Sequence, residues 1–198
     1  MASVVQICNM ALTRIGQNQF IDSIDEQSKA AELCALHYEL CRDEVLQAFP
    51  WPFAEARVFL ADIGSPAQTW QFRYRYPVDC LEARYISVPG TEKPRADQRI
   101  PFKVVNAAGG RAILSNQEQA ELVYTVRVED TTYFPPMFVS ALAWRLAAEL
   151  AMGLQARPEN YASALQNYQL TLSQAQALAF EESEEGPVPD SEFIQARN

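Results

Sequence analysis

The stretch PPMFVSALAWRLAAELAMGL, residues 135–154, decides how the chain folds. It is mostly apolar, and its two prolines stand in the first turn, where a helix tolerates them. Its length would suit a membrane span, but Arg145 and Glu149 would each cost about 2 to 3 kcal/mol near the centre of a bilayer. Their spacing also allows them to pair on one helix face. We therefore predict a helix that is buried inside a soluble protein.

Residues 158–180 are predicted to form the last helix. A packing seam runs along it, because its larger side chains recur every three or four residues. The members of this seam are Tyr161, Leu165, Tyr168, Leu172, Ala175 and Ala179, and the first four are the candidate intersubunit contacts. No charged residue occurs from 160 to 180, and charge is depleted in the cores of protein interfaces. We predict that this helix contacts another subunit or domain; a chance absence of charge is the alternative.

The end of the chain, residues 181–198, is strongly acidic. It holds six acidic residues against Arg197, a net charge of −5 out of −9 for the whole chain. Its first glutamates oppose the dipole at the end of the helix, and its apolar material is too sparse to fold alone. We predict an extended tail that docks onto a partner; a merely disordered end is the alternative. The candidate docking residues are Glu181, Glu182, Glu184, Glu185, Phe193 and Ile194.

The middle of the chain, residues 69–130, has the pattern of short β-strands. Its runs are rich in β-branched and aromatic side chains and are separated by turn signals. The clearest runs are EARYISV at 82–88, IPFKVV at 100–105 and ELVYTVRV at 121–128. Gly109 and Gly110 predict a hairpin that joins two of the strands.

The strand region is also the basic part of the chain. From Arg73 to Arg127 there are nine basic and six acidic residues, a net charge of +3. Such charges usually form a solvated face. The functional alternative is electrostatic matching to a neighbouring subunit or to DNA. The candidate contact residues are Arg73, Arg75, Arg84 and Arg127.

Two further helices are predicted before the strands, at 3–15 and at about 26–49. Ser3 is a suitable N-cap for the first, and the FPWPF block at 49–53 ends the second because proline cannot continue a helix. Cys34, His37 and Cys41 share one face of the second helix. Zinc would need a fourth ligand, so we predict that this face packs in the core and holds no metal.

Together these elements predict an α+β fold. It is mainly a helical bundle of about four helices, with a small inserted antiparallel β domain and an extended C-terminal tail. The corresponding segments are a helical pair at 1–53, the strands at 54–134, a second helical pair at 135–180 and the tail at 181–198.

Composition argues against several functions. With 25 acidic and 16 basic residues the chain is disfavoured as a general nucleic-acid binder. It has one histidine and none of the G-x-S-x-G, G-x-G-x-x-G or phosphate-loop motifs. Its four cysteines are too few for a disulfide framework, and its first residues do not resemble a signal peptide. We predict no catalytic residue and no cofactor.

Three blocks, taken in order, resemble a known family. They are FPWPFA at 49–54 after the first helical pair, YRYPVDCL at 74–81, and YTVRVED at 124–130 followed by FPPMF and ALAWRLA at 134–138 and 141–147. Over residues 3–180 the chain is similar to the head-to-tail adaptors of short-tailed bacteriophages, the tail tubular protein A family, and to the packaged-DNA stabilisation proteins. None of the blocks is a catalytic signature.

The resemblance implies a structural protein of the virion neck, made in the cytoplasm of the bacterial host. Such adaptors form a ring, commonly of twelve copies, between the portal protein and the tail nozzle protein. Genomic DNA passes through the ring during ejection without sequence-specific binding, and no membrane is involved. The carboxy-terminal segment often docks into the portal, and residues 181–198 correspond to it by position. A virion-associated peptidoglycan-cleaving enzyme is the alternative function.

Overall fold

The computed structural model describes residues 2–64, 69–87, 94, 98–107 and 109–182. The helices within them are α1 (Val4–Arg14), α2 (Lys29–Gln47), α3 (Pro136–Gly153) and α4 (Pro158–Glu182). The strands are β1 (Glu55–Phe59), β2 (Phe72–Arg75), β3 (Cys80–Ile86), β4 (Phe102–Ala107), β5 (Gly110–Ser115) and β6 (Glu121–Val126). Two helices precede the strands and two follow them, and the predicted α+β class is confirmed.

Side-chain caps decide where the first two helices begin. The Ser3 hydroxyl accepts from the Gln6 N–H at 3.2 Å, and the Gln6 side chain accepts from the Ser3 N–H at 2.8 Å, which is a capping box. α2 begins three residues later than predicted because Ser28 caps it. The Glu26 carboxylate accepts from the Ser28 hydroxyl and from two backbone N–H groups, and these bonds hold its pKa below the ordinary value.

α3 is the centre of the larger core, and α1, α2 and α4 all pack against it. Its largest fully buried side chains are Phe138, Leu142, Leu146 and Leu150. Arg145 bridges Glu149 at 2.6 Å on the same helix and Glu44 of α2 at 2.9 Å. The predicted pairing along α3 is confirmed, and the same arginine ties α2 to α3. Among the described residues no helix is long and apolar enough to span a membrane.

α1 is fastened to α3 by one arginine. The Arg14 guanidinium donates to the Ser140 carbonyl at 2.8 Å and to the Ser140 hydroxyl at 3.0 Å, and it lies 4.1 Å from the ring centroid of Trp144. Burial lowers the pKa of Arg14 to about 10. The contact joins two helices that lie on opposite sides of the strand region in the sequence.

The strands form two three-stranded antiparallel sheets, in the orders β1–β6–β3 and β2–β5–β4. The predicted hairpin joins β4 to β5, and Gly109 and Gly110 have φ values of 104° and 116° that other residues rarely adopt. β1, which begins at Glu55, was not among the predicted runs, because its five residues, EARVF, are too few for their alternation of polar and apolar side chains to stand out. The sheets enclose a second, smaller core around Tyr74, Ile86, Ile113 and Leu122.

The FPWPF block forms the junction between α2 and the strands. The indole N–H of Trp51 donates to the Val45 carbonyl at 2.8 Å. Its ring meets Phe49 and Phe138 edge-on, with centroid separations of 5.4 and 5.3 Å. The two prolines that end α2 therefore also direct a large aromatic side chain back into the helical core.

All four cysteines are buried and free. The Cys34, Tyr38 and Cys41 face of α2 packs in the core as predicted, whereas His37 is only half-buried. No group of three or more potential metal ligands occurs within the described residues. Burial raises the pKa of the Cys41 thiol to about 12, so the thiol stays protonated in the folded chain near neutral pH.

We expect the four thiols to react with a disulfide reagent such as DTNB at least about tenfold more slowly in the folded chain than after unfolding, because all four are buried and the reagent reaches them only when the chain opens. The absorbance of the released thiolate measures the rate, and the denatured chain is the control. A thiol that reacts as quickly in the native chain as in denaturant would contradict the buried placement.

Candidate interaction site

The seam predicted on α4 lies against the chain's own core. Tyr168 is buried, and Leu165 and Leu172 pack against the helical core. This corrects the prediction that the seam faces another subunit: α3 is buried along most of its length, and α4 is one of the helices that cover it. Tyr161, at the start of the seam, keeps 38% of its surface exposed.

The opposite side of α4 is exposed and uncharged. We call it the outer face of α4, and its residues are Ala162, Ser163, Gln166, Gln169, Leu170, Ser173, Gln174, Ala177 and Leu178. It extends over about 25 Å of helix at 1.5 Å per residue. Leu170 and Leu178 are 53% and 48% exposed. A solvated helix face normally carries Lys and Glu, so this face has the composition of a contact surface.

Arg84, one of the four predicted contact arginines, is used inside the chain. Its guanidinium donates to the Thr125 hydroxyl at 3.0 Å, to the Glu55 carboxylate at 3.1 Å and to the Trp51 carbonyl at 3.4 Å. Burial lowers the pKa of Arg84, and the nearby carboxylates oppose that shift. The predicted intersubunit role for Arg84 is corrected, because its position on β3 directs it toward β1 and the junction after α2.

The other three predicted arginines line one groove, together with Arg111. We call it the arginine groove; it has a volume of about 820 Å³ and lies between the β4–β5 hairpin, the β2–β3 connection and the end of β6. No acidic side chain is among the described residues that line it. Arg111 was missed by the sequence analysis, which interpreted its surroundings only as a turn. The arginines of the groove are Arg73, Arg75, Arg111 and Arg127.

Two of these guanidinium groups are held by close partners. Arg111 lies over the ring of Tyr76, 4.1 Å from its centroid, in a cation–π contact. Arg127 pairs with Asp43 of α2 at 2.9 Å while 43% of its side chain stays exposed. The pair ties the groove to the helical bundle. Burial raises the pKa of Tyr76, so its ring stays neutral beneath the cation.

The remaining two arginines have spare hydrogen-bonding capacity. Arg73 donates from Nη2 to the Ile63 carbonyl at 3.2 Å, but its Nε is buried and has no hydrogen-bond partner among the described residues. Arg75 ends β2 and is exposed. Since a guanidinium fork matches a carboxylate or a phosphate, the groove has the chemistry of an anion site.

The predicted docking tail lies largely outside the described residues. Glu181 and Glu182 are in the last turn of α4. Glu184, Glu185, Phe193 and Ile194 are outside the described part of the chain. Their predicted docking role therefore remains a prediction.

Comparison with known proteins identifies no family for this chain. No protein-family model matches it, and no curated protein is significantly similar to it. The function is therefore argued from the outer face of α4, the arginine groove and the three sequence blocks.

Proposed function

We propose that this protein is a structural adaptor that assembles as a ring between the portal and the tail nozzle of a short-tailed bacteriophage. The observation that carries the proposal is the uncharged outer face of α4. A ring of identical subunits needs a patch that binds a different patch on the next copy, repeated until the ring closes. A protein that stayed alone in water would normally cover such a helix face with charge.

A second apolar patch is available for the neighbouring copy. Leu36 and Leu40 lie one turn apart on α2 and are 62% and 69% exposed. They belong to a different helix from the outer face of α4, as a head-to-tail contact requires. We propose that Leu36 and Leu40 of one copy pack against Leu170 and Leu178 of the next.

The three sequence blocks contact one another, which supports treating them as one pattern. Trp51 of the first block meets Phe138 of the third at 5.3 Å between centroids. The Tyr124 hydroxyl of the third block donates to the Asp79 carboxylate of the second at 3.2 Å. The first and third blocks thus meet in the helical core, and the second and third meet in the strand region.

The charge distribution suits a conduit for DNA. Without residues 181–198, which carry −5, the chain retains −4 of its net −9. A channel with a strongly basic lining would hold DNA through many phosphate contacts and slow its passage. A weakly acidic body avoids that retention.

Negative-stain imaging of the full chain mixed with its portal tests this function. We expect an added ring of density on the tail-facing end of the portal, absent from images of the portal alone. A portal that stays bare in the presence of excess folded chain would contradict the adaptor. A clearing band in a cell-wall zymogram that is lost on replacing one carboxylate would support a peptidoglycan-cleaving enzyme instead.

Removing residues 183–198 is expected to weaken binding to the portal by at least about tenfold, since burying even one anchor such as Phe193 contributes roughly 1.5 to 3 kcal/mol. Titration of fluorescently labelled portal with the truncated and full chains measures the ratio. Equal affinities at equal thermal stability would show that the tail does not dock there.

A further inference from the structure

We propose that, in the free chain before it meets the portal, the arginine groove binds the acidic segment 183–198 of its own chain. The segment holds four acidic residues against Arg197, a net charge of −3. The groove presents four arginines and, among its described lining, no carboxylate. The site is therefore one for a carboxylate-rich peptide, and its occupant belongs to the same molecule.

The groove needs an anion for two physical reasons. Its guanidinium groups share about 820 Å³, and only Arg127 has an ion-pair partner among the described residues, Asp43. Like charges at this range disfavour one another unless a counter-charge joins them. In addition, the buried Arg73 Nε lacks an acceptor in the described structure, and leaving a buried donor unpaired is unfavourable. A carboxylate in the groove would supply the counter-charge and could accept the unpaired hydrogen bond of the Arg73 Nε.

The segment can reach the groove from the end of α4. Only four residues separate α3 from α4, so α4 runs back along α3 toward the end of the bundle where the strands attach. The groove is near that end, because Arg127 pairs with Asp43, whose neighbour Glu44 pairs with Arg145 of α3. The sixteen residues of 183–198 can extend over roughly 50 Å.

Tethering favours this segment over a free anion. A covalent connection of this length gives an effective concentration in the millimolar range, so modest individual contacts are enough for occupancy. Nucleic acid is the less suitable ligand, because phosphate affinity scales with the number of basic contacts and the chain has a net charge of −9.

Cleavage of the full chain after Glu192 by a glutamate-specific protease, followed by mass spectrometry, tests the proposal. In low salt we expect Arg75→Glu to speed this cleavage roughly threefold to tenfold, the range of one or two partly exposed ion pairs. Arg157→Glu is the matched control, since Arg157 is an exposed arginine in the loop between α3 and α4. This substitution changes the net charge by the same amount as Arg75→Glu. High salt should speed cleavage of the unmodified chain and leave the Arg75→Glu chain unchanged.

Reversing the charges on both the segment and the groove tests whether these two parts contact each other directly. The double variant Glu184→Arg, Glu185→Arg should be cleaved quickly after Glu192, and adding Arg75→Glu to it should restore slow cleavage. If Arg75→Glu fails to fold, the salt dependence of cleavage in the unmodified chain and in Arg157→Glu tests the proposal. Faster cleavage of both in high salt would support it, and cleavage that does not change with salt would contradict it.

Three results would overturn the proposal. The first is equal cleavage of Arg75→Glu and Arg157→Glu. The second is protection that rises with protein concentration, which would mean that the segment comes from a second copy. The third is duplex DNA that is retarded by the chain and released by Arg75→Glu while cleavage is unchanged. The test needs no portal, so its failure is distinguishable from failure of the adaptor role.

Discussion

Replacing Trp51 with alanine is expected to lower the free energy of unfolding by about 3 to 5 kcal/mol, the usual range for removing a buried large aromatic side chain. Trp51 is only 3% exposed. Its removal would leave a cavity beside Phe138 and free the Val45 carbonyl, which accepts the indole N–H at 2.8 Å. Urea unfolding followed by circular dichroism measures the change.

Phe59→Ala is the control for this prediction, because Phe59 is 72% exposed and loses little contact on truncation. We expect a loss below about 1 kcal/mol there, as for most exposed positions. Trp51→Phe should fall between the two, since it keeps part of the ring packing but loses the hydrogen bond to Val45. A Trp51→Ala chain as stable as Phe59→Ala would mean that the junction does not hold the bundle.

Placing lysines at Leu170 and Leu178 together is expected to weaken assembly on the portal by more than about a hundredfold, because a charge removed from water without a partner costs several kcal/mol. Both leucines are about half exposed in the single chain. The free energy of unfolding should therefore change little, and the loss should appear only in assembly. Sedimentation velocity of the chain with portal, at several concentrations, measures it.

Tyr133→Lys is the matched control, since Tyr133 is an exposed apolar residue away from α4, with 66% of its surface exposed. It should assemble as the unmodified chain does. Unimpaired assembly of the Leu170→Lys, Leu178→Lys chain would show that the outer face of α4 is not part of the ring contact. In that case the pair Leu36 and Leu40 would have to bind some other surface.

Helices were predictable from the sequence because their signals are local. The apolar run of α3 and its prolines, and the caps at Ser3 and Gly16, act within one or two turns. The start of α2 was misplaced by three residues for an equally local reason. Glu26, assigned to the helix, instead binds the preceding turn through backbone N–H groups.

The candidate site was only partly predictable, because it depends on pairing between distant strands. Arg73, Arg75 and Arg111 line one groove because β2 pairs with β5, which no spacing in the sequence shows. Arg84 looked the same as its neighbours, yet it is buried against β6. Apolar periodicity on α4 correctly indicated a packed face but could not distinguish α3 from another subunit as its partner.

The contact of Arg14 with Ser140 has a consequence for how the protein is made. The two residues are 126 positions apart, and Asn160 binds the Ile15 carbonyl across 145 positions. A ribosome adding about 5 to 20 residues per second would leave α1 and α2 waiting for many seconds before α3 emerges. Their apolar faces are open to chaperones in that interval, whereas the strand region can close around its own core earlier. The bundle is thus the last part of the molecule to form during synthesis.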